Sequence, residues 1–521
     1  MGHRQDSTAE PVRWNLAPQD WRLLGLLVGL KLLLHLLSSQ AYGFFRDELY
    51  FLDCARHLGW GYVDDAPLIA GYAKVALWLG GSLPAVRLLP ALAGAGTVAI
   101  GMGLTRQLGG GRFAQGLSGV CVLVAPIFLG MDSILCVGAF EPLFWMGCVA
   151  VIIEVVRTGN SRLWLWFGVL AGLGLENKYA MLVFGLAALI AILLTPLRRE
   201  LTKPWLWAAG LLALVIFLPT LLWQVRHDYP LLEDMANIQR MGKNVVLGPW
   251  PFIRQQILIL HPLLFPIWFA GLGSLLFGRQ RRLRVLGILY LGMLALMMKL
   301  HAKDYYLAAI YPMLFAAGAV TVEDWLARRA WSRGRVWPKA ALLTVVVAVT
   351  AVLIPALLPF LPPGQLLAYQ KAVGLKADKL EVNHEGPLDQ RLGDQFGWPE
   401  MTDEVARIYQ SLTPEERANT AIYAANYGEA GAINHLGPAR GLPKAFCAHQ
   451  AHSFWAPPDR DYTTYICLGC DEGLSRVFES VQVAAVHHHP WGMAEENRPI
   501  YLCRGPKLSI RAEWSRQKHW N

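Results

Sequence analysis

Long apolar runs recur along the first 360 residues of the chain, and short polar connections separate them. Several runs approach the roughly 20 apolar residues that a helix needs to cross a bilayer. We therefore predict a polytopic α-helical membrane protein with about eleven spans. The expected bounds are 21–40, 84–104, 113–130, 137–156, 163–177, 179–196, 204–225, 251–277, 285–300, 304–322 and 339–360.

Charge alternates between the two sets of connections. Five short loops are rich in Arg and Lys and contain one acidic residue, Glu200, whereas the intervening loops contain ten Asp and Glu residues. Because basic loops remain in the cytoplasm, the acidic loops face outward, including the first loop over 43–82. The formal charge of +9 therefore reflects membrane orientation and does not indicate nucleic-acid binding.

The first apolar run admits two interpretations. Its short core and the sequence Ser39-Gln40-Ala41 resemble a cleaved signal peptide. A polar leader of about twenty residues and the interrupting Lys31 favour a span that is retained. We expect the amino terminus to lie inside and the first span to remain in the membrane.

The chain becomes polar near residue 361, and no later run is long enough to cross a bilayer. Eleven crossings from an inside amino terminus place this region outside the cytoplasm. We therefore predict a transmembrane domain over 1–360 and a soluble extracytoplasmic α/β domain over 361–521. The predicted strands are 420–425, 462–469 and 499–505, and the predicted helices are 401–411, capped by Thr402, and 427–436.

Two features of this region have open interpretations. The loop from Asn426 to Glu429 is either a ligand-facing loop or a tight strand-to-helix connection, and the second reading is favoured. Four cysteines, an even number, permit disulfides in an oxidising compartment, although spacing does not give their pairing; they are Cys447, Cys467, Cys470 and Cys503. A redox role for two of them, or zinc binding at residues 487–489, is disfavoured.

Charged residues follow the first span directly, in the sequence FFRDELYFLDCARHLGWGYVDDAPL over residues 44–68. As a helix, this stretch places Asp47 beside Tyr50, Phe51 and Cys54 at three- and four-residue spacing. Burying such charges at mid-bilayer costs on the order of 3 kcal/mol each, so the segment should lie at the interface. An interfacial amphipathic helix without catalytic function is the alternative.

Other outward connections also carry ionisable groups at the membrane boundary, where such groups are functional candidates. Acids opposite cations suit a substrate that has both hydroxyls and a phosphate. The predicted substrate-binding acids are Asp64, Asp65, Asp132 and Glu141. The available cations are His301, Lys303, Lys178 and Arg240.

Three segments resemble bacterial members of glycosyltransferase family 39, relatives of protein O-mannosyltransferases and lipid A aminoarabinose transferases with the C-type membrane glycosyltransferase fold. RDELYFLDCARHLGWGYVDDAPL resembles the family's first loop and its GY-x-D-H-P-P-L signature, with Asp65 and Ala66 in place of the histidine and the first proline. GLGLENKYAM and AKDYYLAAIYPMLFAAGA resemble two further family segments. The resemblance covers nearly the whole chain.

The resemblance implies transfer of a sugar from a polyprenyl phosphate to a hydroxyl, with inversion, at the outer face of the cell membrane. Asp47 is the implied base, a role that contributes roughly 10²- to 10⁴-fold in rate. Glu48, the second catalytic candidate, would orient the loop or a cation. Cations and donors would hold the phosphate, and the candidates are Lys303, His301, Lys178, Arg240, Tyr305 and Tyr306. Lys303 and Lys178 have alternative roles as an interfacial anchor and a snorkelling lysine.

Several partners and one competing function remain. The acceptor is a protein, a glycan or a lipid, and no cofactor is required, although Asp47, Asp132 and Glu141 offer oxygen ligands to a divalent metal. The competing function is a transporter or flippase of lipid-linked sugars with a solute-binding outer domain. Such proteins pair broken helices near mid-membrane, whereas the polar groups here gather at one boundary.

Overall fold

The computed structural model describes residues 19–329, 335–375, 381–382, 386–455, 458–471, 473–492 and 497–520. The polar leader discussed above lies largely outside these residues. Apolar helices dominate up to residue 357. They are α1 Trp21–Ser38, α2 Arg46–Arg56, α3 Leu68–Trp78, α4 Leu83–Gln107, α5 Arg112–Val124, α6 Pro126–Met131, α7 Val137–Thr158, α8 Trp164–Asn177, α9 Ala180–Leu193, α10 Pro204–Arg226, α11 Pro230–Met241, α12 Pro249–Ile259, α13 Phe265–Leu276, α14 Arg284–Lys299, α15 Tyr311–Arg328, α16 Trp337–Ala351 and α17 Ile354–Leu357.

Each of the eleven predicted spans overlaps at least one of these helices, and several of the apolar runs are divided between two shorter helices, as at α5 with α6 and at α12 with α13. Within the described ranges, six helical segments are long and apolar enough to cross a membrane, or eight if each of two bent pairs counts as one span. One pair bends by 92° between Ile259 and Pro262, where His261 has a positive φ of 79°. The polytopic architecture is therefore clear, and the count of eleven stays a prediction.

Close helix packing in the membrane region depends on small residues. Helices α13 and α15 cross at Gly271 and Gly318. An added Cβ would clash with the carbonyl oxygen of Leu314 at the first position and with that of Ile267 at the second. Small residues let helix backbones approach in this way, which compensates for the weak hydrophobic drive within lipid.

The C-terminal region forms a five-stranded sheet flanked by helices. Its elements are α18 Pro363–Ala372, α19 Gln390–Gly393, α20 Trp398–Ser411, α21 Pro414–Ala418, β1 Thr420–Ala424, α22 Tyr427–Leu436, β2 Ala445–Cys447, α23 His452–Trp455, β3 Thr464–Leu468, α24 Leu474–Val477, β4 Phe478–Val486, β5 Pro499–Pro506 and α25 Trp514–Gln517. The predicted helix 427–436 is confirmed. Thr402 is not the cap of α20: its hydroxyl donates to the carbonyl of Trp398 at 2.7 Å within the helix, which begins after Gly397 at φ 94°.

The strand order is β2-β1-β3-β5-β4. Strand β1 pairs in parallel with β2 and β3, and β5 pairs antiparallel with β3 and β4. The apolar side chains of β1 and β3 are buried, whereas the edge strand β4 is largely exposed. Leu49 of α2 is fully buried in the same core cluster as α20, α22 and these strands. The C-terminal region therefore packs directly on the first loop of the transmembrane region.

Candidate active site

Helix α2 carries the candidate base, and Glu48 fixes the start of this helix. Glu48 is fully buried, and its Oε2 accepts a hydrogen bond from the amide of Phe45 at 2.8 Å. Arg87 of α4 donates to both carboxylate oxygens at 3.2 Å, and the amide of Leu135 donates to Oε1 at 2.9 Å. Both oxygens of Glu48 therefore accept hydrogen bonds from the protein, and the carboxylate joins the start of α2 to α4 and to Leu135. It has a structural role and does not face a substrate.

Asp47, the next residue before Glu48, has a different environment. Its Oδ1 accepts a hydrogen bond from the hydroxyl of Tyr427 at 3.0 Å and lies 4.0 Å from Nε of Arg46. Its side chain is 36% exposed, and within the described part of the chain no donor reaches Oδ2. Burial raises the pKa of Asp47, and Arg46, the Tyr427 hydrogen bond and Lys243 oppose that shift. One oxygen of this carboxylate is thus held while the other remains open.

Arg46 lies between three carboxylates. Its Nη2 is 3.6 Å from Oδ2 of Asp394 and 3.9 Å from Oε2 of Glu381, in addition to the contact with Asp47. Burial alone would raise the pKa of Glu381, but Arg46, Lys243 and Lys303 together lower it. Lys303, predicted to bind phosphate, therefore acts electrostatically on the same group of residues as Arg46.

A second acidic pair lies close to Asp47. The hydroxyl of Tyr50 donates to Oδ1 of Asp64 at 2.9 Å, and burial, with the nearby Asp234, raises the pKa of Asp64 to about 7. Burial also raises the pKa of Asp65, and the charges of Asp64 and Asp47 add to this shift. The structure thus brings together Asp47, Asp64 and Asp65 as the sequence spacing suggested, and it adds Asp234 from α11.

Lys178 is a cation near Asp65, and a carboxylate and two aromatic rings surround it. Its Nζ lies 3.3 Å from Oε2 of Glu141 and 3.8 Å from the centre of the Tyr306 ring, with Tyr305 at 6.0 Å. The positive charge of Lys178 also acts on Asp65. Four residues predicted separately, Glu141, Lys178, Tyr305 and Tyr306, therefore form one group beside the acidic pair.

Three other predicted residues have different surroundings. Asp132 is buried and pairs with Lys31 of α1 at 2.8 Å, which explains why a lysine interrupts that apolar helix. Arg240 is exposed on α11, and its guanidinium donates to Ala236 and Asn237 of its own helix. His301 is exposed, with a positive φ of 51°.

Neither a metal cluster nor a disulfide is present in the described structure. No group of three His, Cys, Asp or Glu side chains there has the arrangement to hold a metal ion. All eight cysteines are free thiols. The loop at Asn426 is a capped connection: Asn426 accepts from the amide of Glu429 at 2.9 Å, and Glu429 accepts from that of Ala425 at 3.1 Å.

A buried polar interface joins α2 to the C-terminal region. Asp53 is fully buried and receives hydrogen bonds from Nδ2 of Asn434 at 2.6 Å and Arg56 at 2.7 Å, with Nε2 of His452 at 3.0 Å. Arg56 also contacts Nδ1 of His435 at 2.9 Å. These contacts attach α2 to helices α22 and α23.

Sequence reasoning missed several members of the site. Tyr427, Lys243, Asp234 and Glu381 each act on Asp47, Asp64 or Arg46, although hundreds of residues separate most of them in the chain. The sequence offers one signal for Tyr427: the strand, turn and helix around it are consistent with a ligand-facing loop at Asn426 to Glu429, although a tight connection is favoured.

The fold and site define an integral membrane protein with a group of acidic side chains, Asp47, Asp64 and Asp65, near the cations Arg46 and Lys178. Residues 64–223 match the family model described as dolichyl-phosphate-mannose-protein mannosyltransferase. Across 94% of this chain and 100% of the other, the fold is similar to the crystal structure of ArnT from Cupriavidus metallidurans bound to undecaprenyl phosphate, with 15% identity and a TM-score of 0.59. The apo state of that ArnT gives a TM-score of 0.56 at 16% identity, over 92% and 98% of the two chains. A comparison with curated proteins gives no match.

The family-model match confirms the predicted resemblance to glycosyltransferase family 39 and the prediction of a glycosyltransferase. At these low identities the likeness to ArnT shows a shared fold, which confirms the polytopic C-type architecture expected from the sequence.

Proposed function

We propose that the protein transfers a sugar from a polyprenyl phosphate donor to a hydroxyl acceptor, with inversion, at the outer face of the cytoplasmic membrane. The observation that carries this proposal is the environment of Asp47. Its Oδ1 is held by Tyr427, and its side chain is partly open beside a cluster of further acids and Lys178. One held oxygen and one open oxygen suit a general base that takes a proton from an acceptor hydroxyl.

In the proposed reaction, the acceptor hydroxyl attacks the anomeric carbon from the face opposite the phosphate. Oδ2 of Asp47 takes the hydroxyl proton as the new carbon–oxygen bond forms. The bond between the anomeric carbon and the phosphate oxygen breaks, and the polyprenyl phosphate leaves with both bonding electrons. Glu48 does not react. Its ion pair with Arg87 holds α2 in place against α4.

Negative charge grows on the departing phosphate, and fixed cations stabilise it in a water-poor site. Lys178, with Tyr305 and Tyr306 beside it, is the best-placed cation, and Lys303 adds charge from the start of the Asp304–Ile310 turn. The ArnT structure with undecaprenyl phosphate supports a donor of this chemical class. Asp64 and Asp65 are suited to binding hydroxyls of the sugar or acceptor.

The contacts between α2 and α22 also support the proposed topology. Residues that touch must lie on the same side of the membrane, so the chain crosses an even number of times between Asp47 and Tyr427. With α1 counted, the total number of crossings is odd, as in the predicted eleven spans. The short helices α5, α8 and α14, which lie within predicted spans, would complete that number. The basic loops favour the outer side for both regions.

The test uses purified full-length protein in lipid nanodiscs with radiolabelled polyprenyl phosphate sugars and cell-envelope extracts. We expect label to reach acceptor with the wild type, and Asp47→Asn to slow transfer by roughly 10²- to 10⁴-fold. Asp403→Asn, on a largely exposed carboxylate of α20, is the matched control and should retain full activity.

Three outcomes would contradict the proposal in different ways. Equal transfer by wild type and Asp47→Asn rejects Asp47 as the base. A product with the same anomeric configuration as the donor, measured by NMR, rejects inversion. Movement of labelled lipid across vesicles without transfer favours the flippase.

A further inference from the structure

Tyr427 is held rigidly at the first position of α22. Asn426 caps the helix and Glu429 completes the capping box on the preceding amides. Two reciprocal side-chain bonds of this kind satisfy two free amides at the start of a helix and fix the residue at which the helix begins. The Tyr427 ring therefore leaves the C-terminal region in a defined direction, toward α2.

Helix α22 approaches α2 more closely than helices with side chains at the contact allow. An added Cβ at Gly431 would lie 2.8 Å from the backbone of Leu49, and one at Gly428 would lie 2.6 Å from Cγ of Arg46. The two glycines thus bring the hydroxyl of Tyr427 to 3.0 Å from Oδ1 of Asp47 and its ring to 5.6 Å from the guanidinium carbon of Arg46.

We propose that Tyr427 is a positioning residue for the base, through which the C-terminal region completes the active site. This inference rests on the proposed function. By donating to Oδ1, the phenol fixes the rotamer of Asp47, directs Oδ2 to the acceptor and stabilises the carboxylate form.

The Tyr427 phenol keeps its proton at neutral pH, because burial raises its pKa well above the ordinary value. It therefore serves as a permanent donor. Other ionisable groups interact with the charge of Asp47 and also influence its pKa. They are Arg46, Lys243, Glu381, Asp64, Asp65 and Tyr305. The substitution Tyr427→Phe removes the donor and leaves these charges in place.

The first experiment compares Tyr427→Phe with the wild type in the transferase assay across pH. Loss of a hydrogen bond to a charged group should move the acidic limb of kcat/KM upward by about one pH unit. Tyr409→Phe, which loses a phenol bond to the Arg417 carbonyl in the same region, should leave the limb in place. In an Asp47→Asn background, Tyr427→Phe should have no further effect. An unshifted limb, or an additive loss in the double variant, would overturn the inference.

A second experiment separates this inference from the proposed function, because it needs no activity. Carbodiimides modify protonated carboxyl groups, and peptide mass spectrometry measures modification of Asp47 at each pH. In Tyr427→Phe the midpoint should lie about one pH unit higher than in the wild type. If the wild type transfers no sugar but this shift appears, only the proposed function fails. Equal midpoints would refute the positioning role even in an active enzyme.

Discussion

The ammonium nitrogen of Lys178 lies 3.8 Å from the centre of the Tyr306 ring. The same nitrogen is 3.3 Å from a carboxylate oxygen of Glu141. A cation held by an aromatic face and a carboxylate is fixed before substrate arrives, and it needs little rearrangement when charge develops on a phosphate.

We expect Lys178→Gln to lower kcat/KM for a polyprenyl phosphate sugar by roughly 10²-fold, the usual effect of removing one stabilising group from an oxyanion. Steady-state kinetics in nanodiscs measure this change. Lys299→Gln, at the exposed end of α14, is the control and should retain normal kinetics. Equal kcat/KM values in the two variants would exclude Lys178 from the donor site.

Glu48→Gln should destabilise the protein strongly. The substitution leaves Arg87, which is 2% exposed, as a buried cation without its counter-charge, and breaking such a pair costs about 3–5 kcal/mol. Denaturant unfolding in detergent measures the loss. Glu154→Gln removes an ion pair between partly exposed residues of one helix and should cost less than about 1 kcal/mol. A similar loss in both variants would show that the buried network does not anchor α2.

Substitutions at the buried pair of Lys31 and Asp132 distinguish a structural role of Asp132 from a role in substrate binding. Asp132→Leu alone should destabilise the protein by about 3–5 kcal/mol, because the Lys31 charge is left unpaired. Lys31→Met combined with Asp132→Leu should recover most of that stability, since both charges are then absent. If the double variant is stable and still transfers sugar, Asp132 is structural; a stable but inactive double variant would assign Asp132 to the substrate, as the sequence suggested.

Asp64→Asn should change how stability depends on pH. The folded protein raises the pKa of Asp64 to about 7 from an ordinary value of 3.8, so it binds this proton more tightly than the unfolded chain does. Ionisation of Asp64 therefore costs stability as pH rises from about 4 to about 7. The asparagine variant, which can still accept from Tyr50, should melt above the wild type at pH 8 and approach it near pH 4. Parallel melting profiles would contradict this assignment.

The membrane class and much of the site were accessible from sequence. The length of an apolar run indicates directly whether a helix can cross the bilayer. Asp47 with Glu48, and Asp64 with Asp65, are adjacent residues, so one short segment determines the position of each pair. The helix 427–436 was equally accessible, because the cap Asn426 and the apolar residues that follow act within a few residues. The spans were less exact because helices α5, α9 and α14 end before the apolar runs do.

The sequence by itself determined that this chain enters a membrane and that acidic and cationic groups gather at its boundary, because hydropathy and loop charge act locally. Only the tertiary structure decided that Asp47 is open whereas Glu48 is satisfied by Arg87. Asp47 and Glu48 are adjacent on α2, but their side chains contact different partners. The pairing of Asp47 with Tyr427, 380 residues away, depends on the docking of two helices through glycines, and no local pattern encodes that contact.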